Sequence, residues 1–142
     1  MKATSSTMPV APYEITCHGD ICEVRLIDNV IEVDGAEGEP NRWDYDEYIL
    51  TVRNRTGLIS DIENGIEAWI TAAKLAEHEK LAAELRKKRD DLLKESDWTQ
   101  AVDAPLSDEE KTQWKIYRQA LRDIPQQAGF PYDVAFPCKA KI

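Results

Sequence analysis

Three groups of residues have types and spacing that chemistry could use. The first is Cys17, His18 and Cys22 in "TCHGDIC". Thiolates and imidazole bind zinc, but structural zinc sites pair their ligands at a gap of about two to four residues and draw a second pair from elsewhere. His78 and Cys138 lie far off in the chain and each stands alone, so no metal is expected. The second group is Asp44, Asp46 and Glu47, which lacks the acid–Gly–Glu alternation of a calcium loop and reads as a solvated loop. The third is the pool of 27 carboxylates, from which an acid/base pair could be drawn, although nothing in their spacing points to one. With two histidines, no serine elbow and no glycine-rich phosphate loop, the expectation is a non-enzymatic chain with no catalytic residues and no cofactor.

The cysteines have a plainer explanation. Gly19-Asp20 makes a two-residue hairpin turn, which sets His18 opposite Ile21 and Cys17 opposite Cys22 at a closely spaced pair. Three cysteines without a secretion signal argue against a disulfide framework. Cys17 and Cys22 are therefore expected as free thiols that oxidise only after release from a reducing compartment. The opening "MKATSSTMPVAP" lacks the apolar core of a signal peptide, and no apolar run approaches the ~20 residues of a membrane span. A cytoplasmic origin and no membrane partner follow as expectations.

Charge narrows the partners. The balance is 18 bases against 27 acids, or −9, and most of it lies early: Met1–Leu58 carries 11 acids and 5 bases. A phosphate backbone repels such a chain, so nucleic acid is not expected as a partner. The run Arg86–Arg89, "RKKR", is followed at once by acids and reads as a solvated helical face.

The elements that would position these residues can be read next. Cys22–Ile27 alternates as a half-buried strand does, Val30–Val33 does so again after the turn-prone Asp28-Asn29, and Trp43–Arg53 ends in a β-branched and aromatic run. Asp34–Asn41 is a loop rich in Gly, Pro and acid. The first residues, "MKATSST", are expected to be mobile unless something holds them. Ser60 and Glu63 form a capping-box pair, after which a helical pattern runs to about Glu95; ~35 residues would span about 50 Å. Ile62, Ile66, Trp69, Ala73 and Ala76 make a broad face for the sheet. Leu75, Ala82, Leu85 and Leu92 make a thinner stripe that calls for a partner surface, either a second copy or another protein.

Beyond that helix, Trp98 is a natural plug for an elbow, with Leu93 beside it, and Pro105 prevents the helix from continuing. Ser107 and Glu110 form a second capping box. Trp114, Tyr117, Leu121 and Ile124 share one face of the next helix, which Pro125 ends, and Lys111, Lys115, Arg118 and Arg122 lie on its other faces. Trp98 and Trp114 should meet in a small helical-hairpin core. The tail holds two aromatic-proline segments, Phe130-Pro131 and Phe136-Pro137, read as extended because residues before proline avoid the helical region. Such a strip either wraps back on the hairpin or docks on a partner.

Arg89–Pro137 resembles the C-terminal module of bacteriophage tail assembly chaperones, also called tail-fibre assembly proteins. The resemblance rests on Leu92-Leu93, "SDWTQ", "DAPLS", "YRQALRDIP" and "GFP", in that order and at close spacing over 49 residues. It departs in having Ala101-Val102 where family members often have Pro, and Phe136-Pro137 where they tend to end in Trp-Pro. The N-terminal β-module, Tyr13–Arg53, carries no such resemblance.

The resemblance implies a factor that binds a phage tail-fibre, tail-tip or baseplate protein and promotes its folding, trimerisation or attachment. It would act in the host cytoplasm and remain on the virion tail in some cases. The alternative is a permanent structural component of the tail, baseplate or fibre. Binding is expected to use Trp114, Tyr117 and Leu121, or the strip from Phe130 to Phe136, unless these residues only close their own core. Self-association through the long helix is a further expectation. The expected fold class is α+β: a β-rich module over 1–58, a connecting helix over 59–95, and a helical hairpin with an extended tail over 96–142.

Overall fold

Alternating apolar side chains and tight turns make the first third of the chain a sheet. The computed structural model describes residues 2–139, with four antiparallel strands in the order β1-β4-β3-β2. They are β1 (Lys2–Ser5), β2 (Tyr13–His18), β3 (Ile21–Val33) and β4 (Arg42–Arg53). The β2–β3 hairpin has the expected register, with His18 opposite Ile21 and Cys17 opposite Cys22. The sulfurs, however, are not free thiols. Cys17 and Cys22 form a disulfide, with their Cα atoms 4.0 Å apart. A closely spaced pair projects both Cβ atoms to one face, so hairpin register alone brings the sulfurs together. Cys138 is free and exposed.

Three expectations for the sheet need correction. Asp28-Asn29 does not separate two strands: β3 continues through it as a bulge, losing register with β4 between Asp28 and Ile31. Asn29 takes φ 51°, a left-handed conformation that asparagine tolerates, and its amide donates to Asp46 at 2.8 Å. Lys2–Ser5 are held, pairing with Trp43–Asp46. Their order comes from pairing within their own sheet. Asp44, Asp46 and Glu47 lie in β4 rather than in a solvated loop: Asp44 accepts from Thr4, Asp46 pairs with Lys2 at 2.8 Å, and Glu47 pairs with Arg25.

A sheet this small needs a cover. Cys22, Val24 and Leu26 form its buried centre, flanked by Tyr13, Ile15, Tyr48, Leu50 and Val52. The cover comes from two helices, α1 (Leu58–Asn64) and α2 (Ile66–Glu95), which bring Leu58, Ile62, Ile70 and Ala73, with Ile66 and Trp69 half-buried. The expected single helix is thus interrupted at Gly65, whose φ is −137°. The Ser60–Glu63 capping box does not form. The helix starts earlier, with Gly57 as its N-cap at φ 84°, a conformation that favours glycine, and Glu63 instead accepts a hydrogen bond from the Tyr13 hydroxyl at 2.9 Å. Ala76 is exposed, and Ile70 takes the place expected for it on the buried face.

Packing divides the chain into two units, Met1–Glu77 and His78–Ile142. The first turns of α2 belong to the sheet unit and its later turns to the second unit. There α2 is followed by a 3-10 turn (Asp97–Gln100), α3 (Asp108–Asp123) and a second 3-10 turn (Ile124–Gln126). Among the described residues, no helix is long and apolar enough to cross a membrane.

Candidate partner-binding module

The second unit is built around one face of α3. Its first turn carries the capping box in full: Ser107 N–H donates to Glu110 at 2.7 Å, and Glu110 N–H donates to Ser107 Oγ at 3.2 Å. Asp108 and Glu109 add negative charge where the helix dipole favours it. The expected 3-4-3 spacing places Trp114, Tyr117, Leu121 and Ile124 in one buried cluster. Fully burying side chains of this size contributes about 1.5–3 kcal/mol each, so this face dominates the unit's stability. Leu92 and Leu93 of α2, Leu106 of the connecting loop, and Phe130, Val134 and Phe136 of the tail pack against it. Burial pushes the Tyr117 phenol above its ordinary pKa, and the nearby Glu95 carboxylate adds to the effect.

Trp98 and Trp114 meet edge to face, with ring centroids 6.1 Å apart, and Trp114 contacts Tyr117 in the same manner at 5.5 Å. Their surroundings differ sharply. Trp114 is 3% exposed, and its Nε1 is buried without a hydrogen-bond partner among the described residues, whereas Trp98 is 51% exposed. The elbow tryptophan is therefore a half-open aromatic backed by a closed core.

Arg118 was expected on an outer face, yet it is buried and ties the elbow together. Its Nη1 donates to Leu93 O and to Ser96 Oγ, both at 2.7 Å, and its Nη2 donates to Asp97 at 2.8 Å. Ser96 is itself buried and donates to the carbonyls of Leu92 and Leu93 at 3.0 and 2.9 Å. Arg118 thus joins groups of the turn where α2 ends, adding its own bonds to a Leu93 carbonyl and a Ser96 hydroxyl that are already bonded to each other. The sequence held one signal for this role: Arg118 stands four residues after Trp114 and one after Tyr117, at the border of the apolar face.

The tail wraps back on this unit. Gln127 clamps Ala135 through two hydrogen bonds, Nε2 to the carbonyl at 2.8 Å and the Ala135 N–H to Oε1 at 2.9 Å. The Phe130–Pro131 bond is cis, and the segment turns rather than extends: the N–H groups of Tyr132 and Asp133 both donate to Gly129 O. A Cβ on Gly129 would sit 2.3 Å from Asp133 O, so this turn requires glycine. The basic run has a use here as well. Arg86 lies 5.4 Å from the Phe130 ring centroid and Lys88 lies 4.3 Å from that of Phe136. "RKKR" is thus partly a set of clasps for tail aromatics rather than a purely solvated face.

The sequence-derived candidates therefore fall into two sets. Trp114, Tyr117 and Leu121 face inward, and a partner would reach them only by opening this buried cluster. Phe130, Phe136 and Leu93 are half-buried against the same core. Among the described residues, the large apolar side chains left open in this unit are Trp98, Val102, Ile116 and Tyr132. In the thin stripe of α2, Ala82 is buried, Leu92 packs on the unit's own core, and Leu75 remains exposed. Among the described residues, no group of three or more His, Cys, Asp or Glu side chains is placed to hold a metal ion.

Residues 82–139 match the family model described as phage tail assembly chaperone protein. The match takes in the later part of α2, the elbow, α3 and the wrapped tail. No curated protein and no solved structure matches the chain.

Proposed function

We propose, from a C-terminal module that is that of the phage tail assembly chaperones, that this chain is a non-enzymatic assembly factor that binds a tail-fibre or tail-tip protein and promotes its folding, trimerisation or attachment. The observation that carries this reading is the family match over residues 82–139, which coincides with a structural unit that closes on its own core. The elements in the match do the work of self-closure, through Arg118, the capping box and the tail clasp. A unit closed in this way is a stable platform that can present a surface, as an assembly factor requires. The sheet unit lies outside the match, and we assign it the choice of partner.

The test is co-expression of the full chain with the tail-fibre and tail-tip proteins of the phage that encodes it, followed by size-exclusion chromatography. A complex with one of them, together with higher yield of its folded trimer, is the expected result. Failure of every such protein to bind, with trimer yields unchanged, overturns the reading. Mass spectrometry of density-purified particles then decides its fate. Absence from particles marks a transient chaperone, and a fixed ratio to tail proteins marks a component retained on the virion.

A further inference from the structure

We propose that a shallow groove in the C-terminal unit, formed by Thr99–Val102 and the lysine face of α3, receives an extended segment of the tail protein in which an acidic side chain neighbours an apolar one. The inference rests on the assembly reading above and specifies its surface. The groove has a volume of about 270 Å³ and is lined by Thr99, Gln100, Ala101, Val102, Lys111 and Lys115. Three observations carry the assignment.

The first is an anchor held rigid from behind. The 3-10 turn that supplies Thr99 and Gln100 also presents Trp98, which precedes the lining residues without being one of them and is half exposed and packed edge to face with the buried Trp114. Binding hot spots are enriched in tryptophans of this kind, since little side-chain freedom is left to lose on binding. Val102 stands fully exposed on the other end of the same segment, at 100%.

The second is a floor that needs nothing from a ligand. Thr99 is buried, its hydroxyl donates to Ser96 O at 2.7 Å, and it accepts from Gln100 Nε2 at 2.8 Å. The wall is thus set before any partner arrives.

The third is charge. In a chain of net charge −9, two lysines are the only charged groups among the described residues that line this groove, and neither has an ion pair with another described residue. Two ammonium groups in one groove with the exposed Val102 complement a carboxylate next to an apolar side chain. They are too few to hold a phosphate backbone against the repulsion of the rest of the chain.

The experiment measures affinity of the full chain for the fibre and tail-tip proteins of its phage by biolayer interferometry, then for 15-residue peptides tiling whichever protein binds. Trp98→Ala, Val102→Glu and the double variant Lys111→Glu/Lys115→Glu are compared with Phe136→Ala. The expected result is a loss of about tenfold or more for the first two. The lysine double variant should weaken binding, lose its salt dependence and bind slowly, and the bound peptides should be acidic. Val102 and the lysines are outside the buried cluster, so these variants fold even if Trp98→Ala loosens the elbow. A wild-type complex that the groove variants leave within twofold, or that only Phe136→Ala disrupts, overturns the groove while the assembly reading stands. Groove variants that alter self-association alone assign the surface to a second copy and also overturn it. No binding by the wild-type chain removes both readings together.

Discussion

Replacing Arg118 by methionine tests whether one buried cation holds the elbow of the C-terminal unit together. Its guanidinium makes three hydrogen bonds, to Leu93 O, Ser96 Oγ and Asp97 Oδ1. Bonds to a charged group contribute about 1.5–3 kcal/mol each, but three terms reduce the sum. Asp97 is 64% exposed, so that ion pair adds under about 1 kcal/mol. Arg118 Nε is buried without a partner, and desolvating the cation costs several kcal/mol. Methionine keeps the packing of the stem and removes the charge. The Leu93 carbonyl still accepts from Ser96, so no acceptor is orphaned. The net expectation is a loss of about 1–3 kcal/mol for Arg118→Met. Ser96→Ala should cost at least as much, because it leaves the cation buried with one partner fewer. Urea unfolding should be followed by hydrogen exchange at α3 amides, since Trp43 and Trp69 of the other unit contribute to fluorescence. Arg118→Met as stable as the wild type, or Ser96→Ala milder than Arg118→Met, refutes the reasoning.

The two capping-box sequences should behave oppositely. Ser107→Ala should destabilise the C-terminal unit by about 1 kcal/mol, while Ser60→Ala should stay within about 0.5 kcal/mol, as thermal unfolding will show. Cys17→Ser opens a disulfide with a sequence separation of 5, for which chain entropy gives an upper limit of about 2 kcal/mol. The loss should appear in the sheet unit, matched by reduction of the wild type and absent from α3 amides. Asp46 titrates below its ordinary value because Lys2 and then Asn29 donate to its carboxylate. A folded-state pKa below the unfolded one contributes stability above about pH 4 and loses it as pH falls through the folded value. Asp46→Asn should therefore flatten the acid limb of the sheet unit's stability curve. An unchanged limb would show that Lys2 is solvated rather than paired.

The legible parts of the fold were those fixed by local spacing. The β2–β3 register follows from a two-residue turn, and the buried face of α3 follows from 3-4-3 spacing between a capping box and a proline. The parts that escaped depend on contacts across the chain. Nothing near Lys2 announces a strand, because its partner Asp46 lies 44 residues away. Asn29 reads equally as a turn and as a bulge, and only the continued pairing of Ile31 with Asp44 decides between them. Ser60 satisfies the capping pattern but loses Glu63 to Tyr13. In the candidate module, the aromatic residues were legible and their allotment between core and surface was not. That allotment depends on Arg118, whose three acceptors all lie more than 20 residues upstream.

This allotment also bears on how tightly the proposed assembly factor would hold its client. Trp114, Tyr117, Leu121 and Ile124 are committed to the unit's own core, and Phe130 and Phe136 are packed on it beneath a lysine and an arginine. The groove itself offers one exposed valine and two lysines beside Thr99, Gln100 and Ala101, and half-exposed Trp98 precedes them in the 3-10 turn. A surface of that size lies below the ~1,600 Å² of a standard stable interface, so by itself it gives a short-lived complex. Its lysines raise the encounter rate with an acidic segment without adding much to residence time. An assembly factor needs that combination, because a subunit held too tightly cannot pass on to the growing tail. Durable attachment would require the sheet unit to bind at the same time, since two weak sites on one chain multiply their effect when the spacing permits. Separating the two units should therefore weaken capture far more than either single-site affinity suggests. Equal capture by the isolated C-terminal unit would show that the groove acts alone.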